Sequence, residues 1–210
     1  MIHIPENLPL KVAPLTWLLG TWQGWGVFTD TPSEKSAETA HPASNCLIEY
    51  DIQVVGDQLR LRRTIWRTQP GVVLDNEASV ATGVATLEKT TLAWQTTGFW
   101  QIQTHPKFPE GVLIQATSAS NTGNISLWQG TAKGPRVQLT LDVSAAAPQS
   151  RTLEYGQLML GVAESDLFLV ESLQFTDSEI TLSGRLAKVA QAETIELLPD
   201  GPALAGVIDE

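Results

Sequence analysis

Leu15-Thr16-Trp17-Leu18-Leu19-Gly20-Thr21-Trp22-Gln23-Gly24-Trp25-Gly26 is the stretch that decides how this chain of 210 residues is read. A short apolar lead gives way to glycines interleaved with Trp22 and Trp25. That is the composition of a first strand whose backbone passes close to something bulky while rings fill the space beside it. Taken alone, the run is an N-terminal strand packing two tryptophans into a core. The arm before it, residues 1–14, holds Pro5, Pro9 and Pro14, which predicts an extended segment followed by one helical turn around Leu15 to Leu18. Such a turn would plug or cap whatever follows.

Working outward, the first strand runs from about Gly20 to Phe28, and residues 29–45 form a loop that contains His41. From Cys46 the chain is β-patterned almost without interruption, because segments rich in Val, Ile, Leu, Thr and Trp are separated by short turn signals. Strands are predicted near 46–55, 58–68, 79–87, 90–104, 111–118, 124–132, 136–144, 152–163, 166–175 and 178–189. Gly56-Asp57, Asn121-Thr122-Gly123 and Lys133-Gly134-Pro135 are examples of the tight connections. About ten hairpin-linked strands with no helical period between them describe an all-β, antiparallel up-and-down sheet, and closure into a barrel removes its two exposed edges. The barrel domain is expected over residues 15–190. A tail, 191–210, with Pro199, Gly201 and Pro202, wraps the outside or frays.

Alternation places Leu59, Leu61 and Arg63 on one strand face and Arg60, Arg62 and Thr64 on the other. A barrel of this size has an interior that side chains fill or that holds one small apolar ligand. The run Arg60, Arg62, Arg63 reads as a solvated strand face rather than an anion site. Seven tryptophans either pack a β core or line an aromatic pocket.

The balance of 13 Lys and Arg against 23 Asp and Glu gives a formal charge of −10. Nucleic-acid phosphates and anionic membrane surfaces are repelled by such a chain and are not expected partners. The first fifteen residues lack a basic region followed by an unbroken apolar run, so no secretory signal is read there. With Cys46 the single cysteine, an internal disulfide and a Cys-rich metal site are excluded. A cytoplasmic protein, monomeric or homodimeric, is the expectation. His3, His41 and His105 show no metal-ligand spacing. No Gly-x-Ser-x-Gly elbow is present, and Cys46 has no neighbouring His, so a hydrolase is disfavoured.

Several segments, in order, resemble one family, the nitrobindin-like haem-binding β-barrels related to the lipocalin and fatty-acid-binding architectures. Leu18-Leu19-Gly20-Thr21-Trp22-Gln23-Gly24-Trp25-Gly26 is similar to its Leu-x-Gly-Thr-Trp-x-Gly-x-Gly signature. Thr97-Gly98-Phe99-Trp100 resembles its Glu-Thr-Gly-Phe-Trp/Leu-Arg strand, with Thr96 and Gln101 in place of the charged residues. Ile125-Ser126-Leu127-Trp128-Gln129-Gly130 resembles its Val-Glu-Val-Trp-x-Gly strand, and Ile180 to Val189 its closing His-Leu-x-Ala-x-Leu-x-Arg segment.

The resemblance implies a barrel of about ten antiparallel strands, ferric haem b held by the histidine of the closing segment, nitric oxide binding, and isomerisation of peroxynitrite to nitrate. It also makes Gly20, Thr21, Trp22, Gly24 and Gly26 candidate pocket residues. Aligned on Leu182, Ser183 and Leu186, the closing segment puts Thr181 where the haem-ligating histidine stands. A threonine hydroxyl is a poor donor to haem iron. The expectation is therefore a divergent member without bound haem and without haem-type enzyme activity, holding at most a small apolar ligand. One alternative is a haem-dependent peroxynitrite isomerase or nitric-oxide binder with a substitute axial ligand, for which Tyr155, Met159 and His105 are the candidates. Another is a carrier of a fatty-acid-like molecule, its carboxylate held by Arg62, Arg63 or Arg185.

Overall fold

Each of the ten long strands pairs antiparallel with the next along the chain, and the first, Gly20–Pro32, pairs with both the second, His41–Val55, and the tenth, Ser178–Ala190, so the sheet closes on itself. The computed structural model describes residues 8–32, 41–75, 77–191 and 195–196. A 3₁₀ segment, Ala13–Leu18, precedes β1 (Gly20–Pro32), β2 (His41–Val55) and β3 (Gln58–Thr68). A helix α1 (Val80–Thr86) leads into β4 (Lys89–Gln103), β5 (Val112–Ser120), β6 (Asn124–Lys133), β7 (Arg136–Ala146), β8 (Leu153–Ala163), β9 (Asp166–Phe175) and β10 (Ser178–Ala190). A two-residue β11 (Ile195–Glu196) adds to β2 in parallel at Val54 and Val55. The result is the all-β, closed antiparallel barrel of ten strands that the hairpin pattern implied.

Glycine makes the closing seam possible. A Cβ on Gly24 would stand 2.0 Å from the Arg185 carbonyl oxygen, and one on Gly26 2.1 Å from that of Ser183. Any side chain at either place would drive β1 away from β10, so the glycines of the opening motif serve closure.

One end of the barrel is plugged, as the proline-rich lead suggested. Val12, Leu15 and Leu18 are fully buried in the main core cluster. The Trp22 indole donates to the Leu18 carbonyl at 2.8 Å, Lys188 donates to the Trp17 carbonyl, and Lys11 pairs with Asp57 of the β2–β3 turn at 2.6 Å. These bonds tie the 3₁₀ segment across the end where β1 begins and β10 finishes.

Residues 79–87 are not a strand. Ser79 caps α1 by accepting a hydrogen bond from the Thr82 amide at 3.1 Å. The Val, Ala and Thr content that suggested a strand is overridden by this cap and by packing. A Cβ on Gly83 would fall 2.0 Å from the Trp25 ring, so the helix lies directly on that indole, outside the barrel. Trp25 thus belongs to a second, smaller apolar cluster with Leu47 and Leu87 rather than to the lumen.

Candidate functional site

Inward positions are apolar near the plug and become polar toward mid-barrel. Arg63 on β3 continues the inward series Leu59 and Leu61, and Glu171 on β9 interrupts Leu167, Leu169, Leu173 and Phe175. The two charges meet across the lumen. Arg63 Nη1 donates to Glu171 Oε2 at 2.7 Å, with the residues 7% and 3% exposed. Three strands separate β3 from β9 on one side of the closed sheet and five on the other. The pair is therefore a strut across the interior.

The guanidinium also donates to the Tyr50 hydroxyl at 3.4 Å and stacks 5.0 Å over the Trp94 ring. Burial works to strip Arg63 of its proton, but the charge of Glu171, with Tyr50 and the hydrogen bonds, outweighs it and holds the cation. Burial pushes the Tyr50 phenol above its ordinary range, and Glu171 adds to this while Arg63 opposes it. The site is a buried ion pair beside a phenol that burial keeps protonated.

Around the strut is a cavity of about 70 Å³ lined by Tyr50, Arg63, Trp94, Asn124, Ser126 and Glu171 together with several apolar side chains. Ser126 accepts from the Trp128 indole at 2.9 Å and bonds Ser118 at 2.8 Å. Trp94 Nε1 and Asn124 Oδ1 are buried with no hydrogen-bond partner among the described residues. A polar space of this size holds a few waters or a few heavy atoms of a ligand.

Trp94, Trp100 and Trp128, expected in strands, all line this cavity, so the aromatic content serves both core and pocket. Thr181 is elsewhere. It is exposed on the outer face of β10, hydrogen-bonded to Thr29 of β1, while the inward positions around it are Ile180 and Leu182. Gly20, Thr21, Trp22, Gly24 and Gly26 do not line the cavity either, since they build the plugged end and the seam.

Among the substitute ligands considered, His105 and Met159 are exposed on the outside, Met159 accepting from Gln138, and Tyr155 is also exposed. Arg62 is exposed and Arg185 pairs with Asp166 on the outer face. Cys46 is buried, and desolvation raises its thiol from the ordinary 9.0 to about 12. Among the described residues no group of His, Cys, Asp and Glu is arranged to hold a metal ion, and no helix is long and apolar enough to cross a membrane.

Sequence reasoning missed Glu171, Tyr50 and Asn124. The available signal was positional, because a carboxylate in an otherwise apolar alternation on β9 requires a buried cation opposite it.

Fold and lumen define a closed antiparallel barrel with a small, partly polar cavity at its centre. The chain belongs to the family of the THAP4-like, heme-binding beta-barrel domain, whose model matches residues 11–188. It is similar to a ferric nitrobindin-like protein of Streptomyces coelicolor, 29% identical over 95% of this chain and 94% of that one. It is also similar to a peroxynitrite isomerase of Renibacterium salmoninarum, 25% identical over 94% of this chain and 98% of that one. The crystal structure of Rv2717c from M. tuberculosis superposes with a TM-score of 0.59 at 15% identity, covering 87% of this chain and 99% of that one. At that identity the likeness is one of fold.

Proposed function

We propose that this family member has given up iron ligation and uses the open half of its barrel to hold a small organic molecule. The observation that carries this reading is the strut. Arg63 and Glu171 occupy the lumen, and the space left around them is about 70 Å³. Sites for drug-sized molecules occupy about 300–1,000 Å³, so the lumen around the strut is several times too small for a molecule of porphyrin size. The donor set agrees. Haem iron is held by His, Cys thiolate, Met or Tyr, and the cavity lining offers only Tyr50.

Thr181, at the aligned place of the ligating histidine, faces outward, but the reading does not depend on that alignment. The inward positions of β10 are Ile180, Leu182, Gly184 and Leu186, none of which coordinates a metal. The residues present do not fit haem.

Similarity to proteins named peroxynitrite isomerase favours a second reading, a haem-dependent activity through a substitute ligand. It would require Tyr50 as tyrosinate, and burial holds that phenol protonated. A carrier of a long acyl chain is less well supported, since its carboxylate would find the lumenal Arg63 already neutralised by Glu171.

Titrating purified protein with hemin tests the proposal. Weak, broad absorbance lost on gel filtration is the expected result. A sharp, stoichiometric Soret band that survives the column would overturn it.

A further inference from the structure

Beyond the lumen, the end opposite the plug carries, among the described residues, a second cavity of about 270 Å³ that shares Trp94, Asn124 and Phe175 with the inner one. These three residues form a throat between a vestibule and the lumen. Two of them hold two of the three buried side-chain groups that lack a partner among the described residues, the Trp94 Nε1–H donor and the Asn124 Oδ1 acceptor; the third, Trp17 Nε1, lies at the plugged end. An unmet buried polar group costs about 1–3 kcal/mol, so two at one throat mark a place built to receive a partner that both accepts and donates. A hydroxyl does both.

The vestibule wall adds charge. Arg151 hydrogen-bonds Ser178 at 2.6 Å, lies 3.4 Å from Asp30 and stacks 4.8 Å over the Phe175 ring. Arg67 stacks 5.3 Å over the Phe28 ring and has no carboxylate within ion-pair distance among the described residues. Among the described residues that line it, two guanidiniums stand against the one carboxylate of Asp30, on a chain of formal charge −10. A guanidinium backed by a ring suits a planar oxyanion, which it can grip with two parallel N–H bonds. Vestibule and lumen together reach the low end of the volume of small-molecule sites, enough for one or two rings.

We propose that this end of the barrel binds a small aromatic hydroxy acid. Its carboxylate sits at Arg67 and Arg151, its ring lies against Trp94 and Phe175, and its hydroxyl takes the Trp94 N–H and donates to Asn124. The assignment rests on the reading of the open half as a ligand site and gives that ligand its chemistry.

The test uses 6-hydroxy-2-naphthoate as fluorescent probe, with 2-naphthoate and 6-hydroxy-2-naphthamide as comparators, in calorimetric titrations of the full chain. Saturable one-to-one binding of the hydroxy acid is expected, about tenfold tighter than either comparator, weakening as salt is raised. Arg67→Gln should cost about tenfold for the two acids and nothing for the amide, with Arg67→Lys recovering part of the loss. Both changes are at an exposed position, and circular dichroism confirms the fold. Equal affinity for acid and amide, or an Arg67→Gln protein that binds the acid unchanged, would overturn the anion assignment while leaving a ligand-binding lumen in place. Binding of none of the three would overturn both this assignment and the small-ligand reading, whereas the absence of iron ligation is judged separately by the hemin titration.

Discussion

The two ends of this barrel solve the same packing problem with different chemistry. Where β1 begins, Val12, Leu15 and Leu18 fill the opening and the inward positions beside them are aliphatic. From mid-barrel to the other end, Arg63, Asn124, Ser126 and Glu171 are buried, and cavities remain between them. The apolar end gains free energy from burial at about 25 cal/mol per Å² and loses nothing in specificity by being full. The polar end gives up part of that gain, since a buried ion pair is often no more stable than a well-packed apolar substitute. Buried charge around a lumenal cavity is what the proposed binding function would require and stability alone would not.

The largest expected effect breaks the strut. Glu171→Gln leaves Arg63 buried and unpaired and should cost about 3–5 kcal/mol in urea unfolding, because the lone cation keeps its desolvation penalty without the compensating charge. The double variant Arg63→Met/Glu171→Leu should recover most of that loss. A loss under about 1 kcal/mol for the single change, the scale of surface pairs, would mean that the pair is solvated and the ends are not so different.

Closure comes next. Gly24→Ala should cost about 1–3 kcal/mol, since its Cβ meets the Arg185 carbonyl and β1 must shift away from β10. Thermal melting checks this, and an unchanged midpoint would mean that the seam is loose.

Cys46 gives a smaller effect with a pH signature. Its folded thiol is raised from 9.0 to about 12, so burial favours the neutral form and the stabilisation is fully present below pH 9. As pH rises from 9 to 12, that stabilisation is lost at up to about 1.4 kcal/mol per unit relative to Cys46→Ala. A thiol reagent at pH 8 should label the native protein only as fast as it opens. The smallest effect belongs to Thr181→His, which adds a ring to the outer face. Stability should stay within about 0.5 kcal/mol of the parent, and hemin absorbance should not sharpen; a new Soret band would place that residue within reach of a lumenal porphyrin.

Much of the fold was legible because β-patterning is local. Alternation, turn pairs and the order of the family motifs gave the strands and their closure. Exceptions show the limit of that signal: residues 29–32 and 41–45, expected as loop, extend β1 and β2, and Val80 to Thr86 carry strand-forming residues yet become the helix α1 only through the Ser79 cap and the fit of Gly83 on Trp25, 58 positions away in the sequence. The site was less legible for the same reason. Alternation with Leu59 and Leu61 put Arg63 on the apolar face, yet the run Arg60, Arg62, Arg63 read as a solvated one; Arg63 is buried instead, because its partner lies 108 residues on, and no local pattern joins them. Thr181 was selected by alignment, whereas its direction was set by strand parity, which puts Ile180 and Leu182 inward.

Indole N–H resonances of the tryptophans, recorded before and after one equivalent of ferric hemin, test most directly the proposal that the lumen takes no haem. Those of Trp94, Trp100 and Trp128 line the inner cavity and would be broadened by a paramagnetic iron inside the barrel. The expected result is that these three signals keep their intensity while hemin remains free or adsorbed outside. Their selective loss, alongside a stoichiometric Soret band, would contradict the account.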